Sequence, residues 1–574
     1  MTKAALYGVE QGRQAFIEKD VARVLPTRVF RVLAHIGLLF MLGAAAPALA
    51  GDWPNILVLM AEDMSSRVGS FGDQVAITPN IDQLAEEGVS YTNVFTTAGV
   101  CAPSRAAFIT GMHQISIGAQ HMRTSTRPEG AYKSVPPTYV KAFPEYLRQA
   151  GYFTFTDMKL DYQFSGVFSG SGPFTVWDDE GRNTNWSGRK NGQPFFGLIN
   201  FAVTHESGVF PPLGNWPNDL GHFISQVFRF LSGIAPGAQP VRPEEIILEP
   251  YYPDTETVRV DIARHYNNIH EMDRQVGEIL AQLETDGLLD STIIIWTTDH
   301  GDGLPRAKRD LYDSGIRVPM IVRWPDDQRG GTTITRLVSF IDLAPTILRL
   351  VGVEIPKHMQ GSDFLEGHPR DFVYASRDRI DAFYDRRRAV RDHRFKYIRN
   401  WYPEKPTGHW LAYRDNIPMV RELWQLFEAN QLNEAQRKWF EATGEEQLFD
   451  LVDDPHELDN LAGDPDFEQV RQRMQSQLAQ RLREIGDASN TLENDMVAEI
   501  NPGGIVPTTA PPVFNPTEGV LEVETPGASI GYRLNDGPWL LYSEPVRVES
   551  GDRLTAKAVR YGWQESEVKE YLIP

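Results

Sequence analysis

Cysteine is almost absent from this chain of 574 residues, which has a single one, Cys101. One thiol excludes any disulfide within the chain, so the fold is not a disulfide scaffold. Positive charge is also scarce, because 56 Lys and Arg stand against 77 Asp and Glu, a formal net charge of −21. Nucleic-acid binders need a dominant positive field, so this balance argues against a nucleic-acid partner. An anionic ligand must therefore be drawn by a local basic site.

Long apolar runs are lacking as well, and the run near the start is short. Arg28 and Arg31 precede an apolar stretch over residues 36–46, and Ala-Leu-Ala follows at 48–50. The stretch is shorter than the roughly 20 residues of a membrane-spanning helix, and this order of parts is typical of an export signal. We predict that residues 1–50 form an N-terminal extension and signal peptide. The mature protein is then periplasmic or secreted and has no membrane span.

The rest of the composition, 41% hydrophobic and 23% charged, is typical of a soluble globular protein. Across residues 51–486, short apolar runs alternate with segments of helical period, which predicts an α/β domain with a largely parallel central sheet flanked by helices. The longest helix is expected over residues 258–283. The predicted strands are residues 55–60, 153–158, 195–201, 292–298 and 318–323.

The sequence changes character towards the C-terminus. Residues 487–516 are rich in Asn, Pro, Thr and Gly without lasting periodicity, which indicates a linker. Residues 517–574 alternate apolar and polar side chains between turns, the pattern of a small antiparallel β-sandwich. In segments 530–537 and 556–560 this part resembles the C-terminal immunoglobulin-like module of chitobiase, beta-hexosaminidase and other secreted glycosidases. We expect a second domain that has no catalytic cluster and few contacts with the first.

Chemically capable side chains follow four of the predicted strands. In open α/β sheets ligands bind outside the carboxyl ends of the strands, so these residues have priority as site candidates. An acidic pair alone is more often a solvated turn, and a lone histidine is more often a hydrogen-bonded loop residue. Their coincidence favours a site. The residues are Glu62 and Asp63 after the first strand, Lys159 after the second, His205 after the third, and Asp299 and His300 after the fourth.

The single cysteine begins a short motif. Cys101-Ala102-Pro103-Ser104-Arg105 opens an apparent helix, with proline in its first turn and Gly111 as its stop. Together with Ala-Ala-Phe-Ile-Thr-Gly at 106–111, it resembles the signature of the sulfatase family, in which this cysteine is oxidised to formylglycine. Further matching segments stand in family order at 61–63, 78–82, 299–301, 448–451, 454–455 and 460–462. The resemblance spans most of residues 51–486 and is closest to bacterial sulfamidase-like and polysaccharide sulfatases of the alkaline phosphatase superfamily.

The resemblance implies a metal site and two cofactors. The family's metal ligands fall on Glu62, Asp63, Asp299 and His300, with the formylglycine at Cys101 as a further ligand. The expected ion is one Ca²⁺, since three carboxylates form a hard oxygen set and one histidine is too little to demand zinc. A formylglycine-generating maturation enzyme is then a required partner.

The resemblance also implies catalytic and substrate-binding residues. Lys159 and Lys308 match the lysines that contact sulfate, and Arg105 matches the arginine that stabilises the formylglycine hydrate. His205 matches the histidine that contacts sulfate and protonates the leaving alkoxide. Residues expected to face the substrate are His121, Arg123, Arg377 and Arg379.

These features together predict a sulfatase that hydrolyses O-sulfate or N-sulfate groups of a sulfated oligo- or polysaccharide. One alternative is a phosphonate or phosphate ester hydrolase of the same superfamily, which relative rates on the ester types would distinguish. The other is a non-catalytic glycan-binding protein, which a calcium titration and the mass of the peptide containing residue 101 would distinguish.

Overall fold

The structure, a computed structural model, describes residues 53–215, 219–234, 237–325 and 329–574. The predicted signal peptide, residues 1–50, lies outside the described residues. None of the helices within the described ranges combines the length and the apolar character needed to cross a membrane.

A nine-stranded sheet with the order β4-β3-β5-β1-β6-β7-β2-β8, in which β9 also pairs with β2, organises the first domain. Parallel pairing joins β1 to β5 and β6, and β3 to β4 and β5, whereas β7 runs antiparallel to β6 and β2. The predicted largely parallel sheet is confirmed. Its strands are β1 Asn55–Ala61, β2 Val89–Phe95, β3 Phe153–Thr156, β4 Asp179–Glu180, β5 Phe195–Phe201, β6 Thr292–Thr298, β7 Arg317–Arg323, β8 Thr332–Ile334 and β9 Val338–Ser339.

Helices cover both faces of this sheet. All seven residues of β1 are buried, as expected for a central strand with helices on both sides. Alternate residues of β1 face opposite layers: Leu57 packs with Ile262 of α5, and Val58 packs with Phe108 of α2. The helices are α1 Pro79–Glu87, α2 Cys101–Thr110, α3 Phe143–Gln149, α4 Leu220–Leu231, α5 Glu256–Thr285, α6 Asp313–Ile316, α7 Leu343–Leu350, α8 Pro418–Glu428, α9 Glu434–Arg437, α10 Glu468–Ile485 and α11 Glu493–Ile500.

An antiparallel sheet, β10-β11-β12-β13, continues the chain after residue 353. Helix α10 covers one of its faces through Met474 and Leu478, which pack against Val390 and Tyr397. The strands are β10 Val373–Arg377, β11 Arg387–Arg391, β12 Phe395–Asn400 and β13 Glu446–Asp450.

The C-terminal residues form two further antiparallel sheets, β14-β15 and β17-β16-β18-β19, as the alternation predicted. Phe514 and Leu521 of the smaller sheet share one apolar cluster with Ile530 and Leu554 of the larger. The strands are β14 Val513–Asn515, β15 Val520–Glu522, β16 Ser529–Leu534, β17 Leu540–Leu541, β18 Arg553–Val559 and β19 Lys569–Leu572.

The segment expected to be a linker differs from that expectation. It contains α11, and Asp487 at its start accepts hydrogen bonds from Arg388 at 2.8 and 2.9 Å. Glu493 in α11 accepts two from Arg379, at 2.7 and 2.8 Å. Ion pairs to distant arginines, rather than any local periodicity, therefore hold this segment against the first domain.

The expectation of few contacts between the two domains is wrong. Tyr561 in the turn after β18 is fully buried and stacks on Phe164 with ring centroids 4.7 Å apart. The backbone N–H of Ala142 donates to its hydroxyl at 3.2 Å. The ammonium of Lys141 donates to Ser529 at 2.6 Å. The C-terminal sandwich is thus docked firmly on the first domain.

Candidate active site

The strand-end residues come together at one edge of the central sheet. Because β1, β5 and β6 are parallel neighbours, their carboxyl ends meet at the same edge. The backbone N–H of Asp63 after β1 donates to Oδ1 of Asp299 after β6, at 3.1 Å. The backbone N–H of Glu206 after β5 donates to Oδ2 of Asp63 at 2.7 Å. Three loops are thus tied together through two carboxylates.

Cys101 is buried at the first residue of α2, the position that the sequence predicted for it. Its Sγ lies 3.2 Å from Nε2 of His300 and 3.7 Å from Oδ1 of Asp63. Gly99 lets the preceding turn approach the neighbouring loop, because a Cβ there would lie 2.2 Å from the carbonyl oxygen of Asp310. The unpaired N–H groups of the helix N-terminus make position 101 a favourable place for negative charge.

An acidic cluster surrounds residue 101. One ligand atom each of Asp63, Cys101, Asp299 and His300 lies within 4.8 Å of the others. Although burial opposes protonation of His300, the charge of Asp299 and its neighbours raises the pKa of the imidazole to about 10. Oδ2 of Asp299 is buried and has no hydrogen-bond partner. Arg105 and Lys159 approach this oxygen only to 3.7 Å, and a buried oxygen without a hydrogen bond is costly, so this donor set fits a bound divalent cation.

Glu62 lies slightly apart from that cluster. It groups with Asp63 and His205 rather than with Asp299, and its Oε2 accepts a hydrogen bond from Nζ of Lys159 at 2.7 Å. Burial raises the pKa of the Glu62 carboxyl, whereas the charge of Lys159 opposes that rise. Glu62 is therefore positioned to complete a cation site and to hold Lys159 at its edge.

A second basic centre lies opposite Lys159. Nζ of Lys308 donates to Asp63 at 2.5 Å, and it lies 3.0 Å from Glu206 and 3.5 Å from Nε2 of His205. Burial lowers the pKa of His205, and the charge of Lys308 contributes, to a value of about 3. The imidazole is therefore neutral near pH 7, and its Nδ1 pairs with the hydroxyl of Ser207 at 3.0 Å.

Arg105 acts on the loop that carries Lys159. Its guanidinium donates to the carbonyl oxygens of Lys159 and Leu160 at 3.2 and 3.0 Å, and to Asn200 at 2.5 Å. Within the described part of the chain, no hydrogen bond of Arg105 reaches residue 101. Nη1 of Arg105 also lies 3.7 Å from Oδ2 of Asp299, so Arg105 borders the acidic cluster around residue 101 as well as the loop of Lys159. Its predicted role in stabilising the formylglycine hydrate stays a prediction.

A cavity of about 580 Å³ opens above these groups. Lys159, His205, Lys308 and Arg123 line it, in agreement with their predicted positions. Another wall is apolar and belongs mostly to α4, whose buried side is polar and whose apolar side faces out. Side chains of this wall are Ile224, Phe228, Phe168 and Tyr413.

Three residues expected to face the substrate do not line this cavity. The buried guanidinium of Arg377 is held by Asp310 at 2.6 Å and by Asp385 at 3.0 Å. Arg379 is equally buried and is held by Glu493. His121 is buried beside Gln120, at 3.4 Å. These predictions are wrong because internal partners already neutralise the two arginines, and because His121 is enclosed.

The sequence did not single out several residues of the site. Glu206 and Arg309 form a buried bidentate ion pair, with distances of 2.7 and 2.8 Å, directly beside Lys308. The sequence signal that could have identified them is their position, because Glu206 directly follows His205 and Arg309 directly follows Lys308. Tyr413 and Phe228 lie in no recognisable motif, so only the folded chain brings them to the cavity.

Comparisons with known proteins agree with this geometry. The sequence matches the family described as Sulfatase over residues 54–196 and 188–353, and that described as N-sulphoglucosamine sulphohydrolase, C-terminal, over residues 306–441. It is 40% identical to an ulvan-active sulfatase of Formosa agariphila, over 89% of this chain and 90% of that one. It is 26% identical to human N-sulphoglucosamine sulphohydrolase, over 75% of this chain and 90% of that one.

A solved structure of a 2-O GAG sulfatase has the same fold, with a TM-score of 0.54 and 18% identity over 77% of this chain and 94% of that one. Three findings lead to the same assignment. They are the family matches, a relative that is similar along most of its length, and a cysteine set among acidic and basic groups at one sheet edge. The chain belongs to the sulfatase family and is a sulfuric ester hydrolase.

Proposed function

We propose that this sulfatase removes sulfate groups from a sulfated polysaccharide, or from oligosaccharides derived from it, by means of a formylglycine at position 101. The observation that carries the proposal is the position of Cys101, at a helix N-terminus within 4 Å of Asp63 and His300. The Formosa agariphila relative is named for its action on ulvan. Ulvan oligosaccharides are therefore the first substrates to test.

The nucleophile requires a change at residue 101. A formylglycine-generating enzyme, supplied with an oxidant such as molecular oxygen, would oxidise Cβ of Cys101. The sulfur leaves as sulfide, and the side chain loses two hydrogens and gains one oxygen. In water the aldehyde takes up a water molecule and becomes a geminal diol. One hydroxyl gives up its proton and attacks sulfur, the bond from sulfur to the sugar oxygen breaks as that oxygen takes up a proton, and the sulfate is carried on residue 101. The second hydroxyl then loses its proton, the bond from Cβ to the sulfate oxygen breaks, and the aldehyde re-forms.

In this reaction the two lysines would stabilise negative charge on the sulfate, and His205 would help to protonate the leaving sugar oxygen. Lys159 and Lys308 both line the cavity, where their ammonium groups would stabilise charge on the sulfate oxygens. The leaving sugar oxygen needs a proton, and the pair of His205 and Lys308 would supply it. A bound sulfate brings negative charge next to the neutral imidazole of His205 and favours its protonation.

The residues that would hold the cation are Glu62, Asp63, Asp299, His300 and residue 101. A hard oxygen set of this kind suits Ca²⁺, which we propose as the ion. When bound, the cation would offset the carboxylate charge and stabilise negative charge on the sulfate.

N-sulfate is a second candidate group, because residues 306–441 match the C-terminal part of the N-sulphoglucosamine sulphohydrolase family. A panel separates the candidates: ulvan oligosaccharides, an N-sulfated glucosamine, a phosphonate monoester and an aryl sulfate. We expect sulfate release, measured by ion chromatography, to be fastest from the ulvan oligosaccharides. Faster cleavage of the phosphonate ester than of every sulfate would overturn the proposal.

We also propose that the chain is exported and cleaved at the end of the Ala-Leu-Ala triplet at 48–50. Support comes from the order of basic, apolar and small residues in that segment. N-terminal sequencing of protein recovered from a periplasmic fraction should begin at Gly51. Recovery of the uncleaved chain from the cytosolic fraction alone would contradict export.

A further inference from the structure

A second cavity, of about 670 Å³, adjoins the catalytic one. Both cavities are lined by Arg123 and Val167, so they meet at a shared wall. Asp161 also lines the second cavity, and its carboxylate holds Arg123 by hydrogen bonds of 2.8 and 3.2 Å. This ion pair therefore stands between the catalytic residues and a space large enough for further parts of the substrate.

The far wall of the second cavity belongs to the C-terminal sandwich. Trp563, Gln564 and Glu565 line it, immediately after the turn that contains Tyr561 and Gly562. We call this space, between Arg123 and Trp563, the module groove. No catalytic residue identified above lies on its far side, so the groove is distinct from the sulfate site.

The docking of the sandwich fixes that wall in place. Gly562 has a φ of +84°, and a Cβ there would lie 2.2 Å from the carbonyl oxygen of Ser134 in the first domain. Arg560 donates a hydrogen bond to the carbonyl oxygen of Pro136, and Tyr561 is buried against Phe164. A turn held this closely keeps Trp563 at the wall of the groove.

The side chains of the module groove suit a hydroxylated, negatively charged chain. The ammonium of Lys133 donates to the carbonyl oxygen of Ser171 at 3.1 Å and makes no ion pair among the described residues. The carboxylates of Asp161 and Glu565 are both neutralised, the latter by Lys557 at 2.6 Å. The groove therefore combines a cation without a close ion pair, on which Glu565 acts at longer range, with amide groups and the indole of Trp563. Pyranose rings stack their C–H faces on such aromatic rings, and their hydroxyls pair with amides.

We propose that the module groove binds sugar units of the same polysaccharide whose sulfate occupies the catalytic cavity. The C-terminal sandwich is then part of the substrate site rather than a separate binding module. This inference rests on the proposed function, because it requires a sulfated saccharide in the catalytic cavity. It predicts that the enzyme prefers oligosaccharides long enough to reach Trp563 over a single sulfated sugar.

The test compares two substrates on full-length enzyme: ulvan oligosaccharides of several sugar units and an aryl sulfate that fills only the catalytic cavity. For Trp563→Ala, the ratio of kcat/KM on the oligosaccharide to that on the aryl sulfate should fall by about tenfold, mainly through a higher KM. Trp563→Phe should keep most of the wild-type ratio. Lys133→Gln, at another lining residue of the groove, should lower the same ratio.

The matched control is Trp410→Ala, an exposed tryptophan that lines neither cavity, which should leave the ratio unchanged. An unchanged ratio in both Trp563→Ala and Lys133→Gln would overturn the inference, and so would equal losses on both substrates. If wild-type enzyme cleaves the aryl sulfate but no saccharide, the proposed function itself fails. That result can be distinguished from failure of the groove inference, because it is seen with the wild-type enzyme alone.

Discussion

Nζ of Lys308 lies 3.5 Å from Nε2 of His205, and both groups face the catalytic cavity. Burial and the lysine charge keep the imidazole neutral in the free site. In the proposed mechanism the proton for the leaving group therefore comes from the pair acting together. This relationship makes the contribution of His205 dependent on the substrate.

His205→Ala should therefore cost most when the leaving group is poor. On an alkyl or sugar sulfate we expect turnover to fall by at least ~100-fold, the scale of losing a general acid. On nitrophenyl sulfate, whose leaving group needs no proton, the loss should be much smaller. Steady-state rates on both substrates measure the difference, and equal losses would show that His205 does not serve the leaving oxygen.

Lys308→Ala should reduce turnover by at least ~100-fold on both kinds of substrate, because its ammonium also stabilises charge on the sulfate oxygens. The variant also removes one buried partner of Asp63 and of Glu206, although Asp63 keeps His300 and Glu206 keeps Arg309. Its melting temperature should accordingly be measured beside its rate. Near-normal turnover in the folded variant would remove Lys308 from the mechanism.

Arg379 should behave as a structural residue. Arg379→Ala removes the counter-charge of the buried carboxylate of Glu493 and leaves it hydrogen bonds from Tyr132 and Tyr384. This loss should cost about 3–5 kcal/mol of unfolding free energy. Burial opposes ionisation of Glu493, but hydrogen bonds from Arg379 prevail and lower its pKa to about 2. Since its ordinary value is 4.5, the pair stabilises the fold above pH 4.5, and this stabilisation is lost as the pH falls towards 2.

Denaturant unfolding of Arg379→Ala at several pH values measures this effect, with Arg123→Ala as the matched comparison. Arg123 lines the cavity, and 26% of its side chain is exposed, so its removal should raise KM. It should cost less stability than Arg379→Ala, because the charge of Lys159 still acts on the buried Asp161 that Arg123 leaves. A raised KM with intact stability in Arg379→Ala would restore it as a substrate residue.

Gly562→Ala should weaken the docking of the sandwich, because the added Cβ meets the carbonyl oxygen of Ser134 at 2.2 Å. Gly551 is the matched control, with a φ of +92° and no atom within 4 Å of an added Cβ. Gly551→Ala carries only the backbone strain of about 1–2 kcal/mol. Gly562→Ala should add roughly 1–3 kcal/mol of steric conflict. Equal melting temperatures for the two variants would contradict close docking.

The sequence predicted the strands that carry the site better than it predicted the C-terminal connections. β1 and β6 are continuous apolar runs followed by acidic residues, and both signals are local. β2, with Ser90, Thr92 and Asn93 in its interior, has no such run, and it forms because β7 pairs with it. Helix α11 has only eight residues, and its position depends on Arg379.

The same distinction explains the errors at the site. Cys101, Lys159, His205 and Lys308 belong to short motifs or strand ends, so their positions could be inferred from neighbouring residues. Arg377 and Arg379 are held away from the substrate by ion pairs with Asp310 and Glu493, which lie 67 and 114 residues away along the chain. No local pattern reports whether an arginine already has a partner at that separation.

The central claim is that residue 101 acts as formylglycine. The most direct measurement is the mass of the peptide containing residue 101, taken on the same preparation whose turnover is recorded. We predict an aldehyde, with sulfur and two hydrogens lost and one oxygen gained, and turnover in proportion to the converted fraction. Cys101→Ala should have no turnover, whereas Cys101→Ser could at most retain one sulfate as a stable ester. Full activity from protein whose peptide carries an intact thiol would contradict the account.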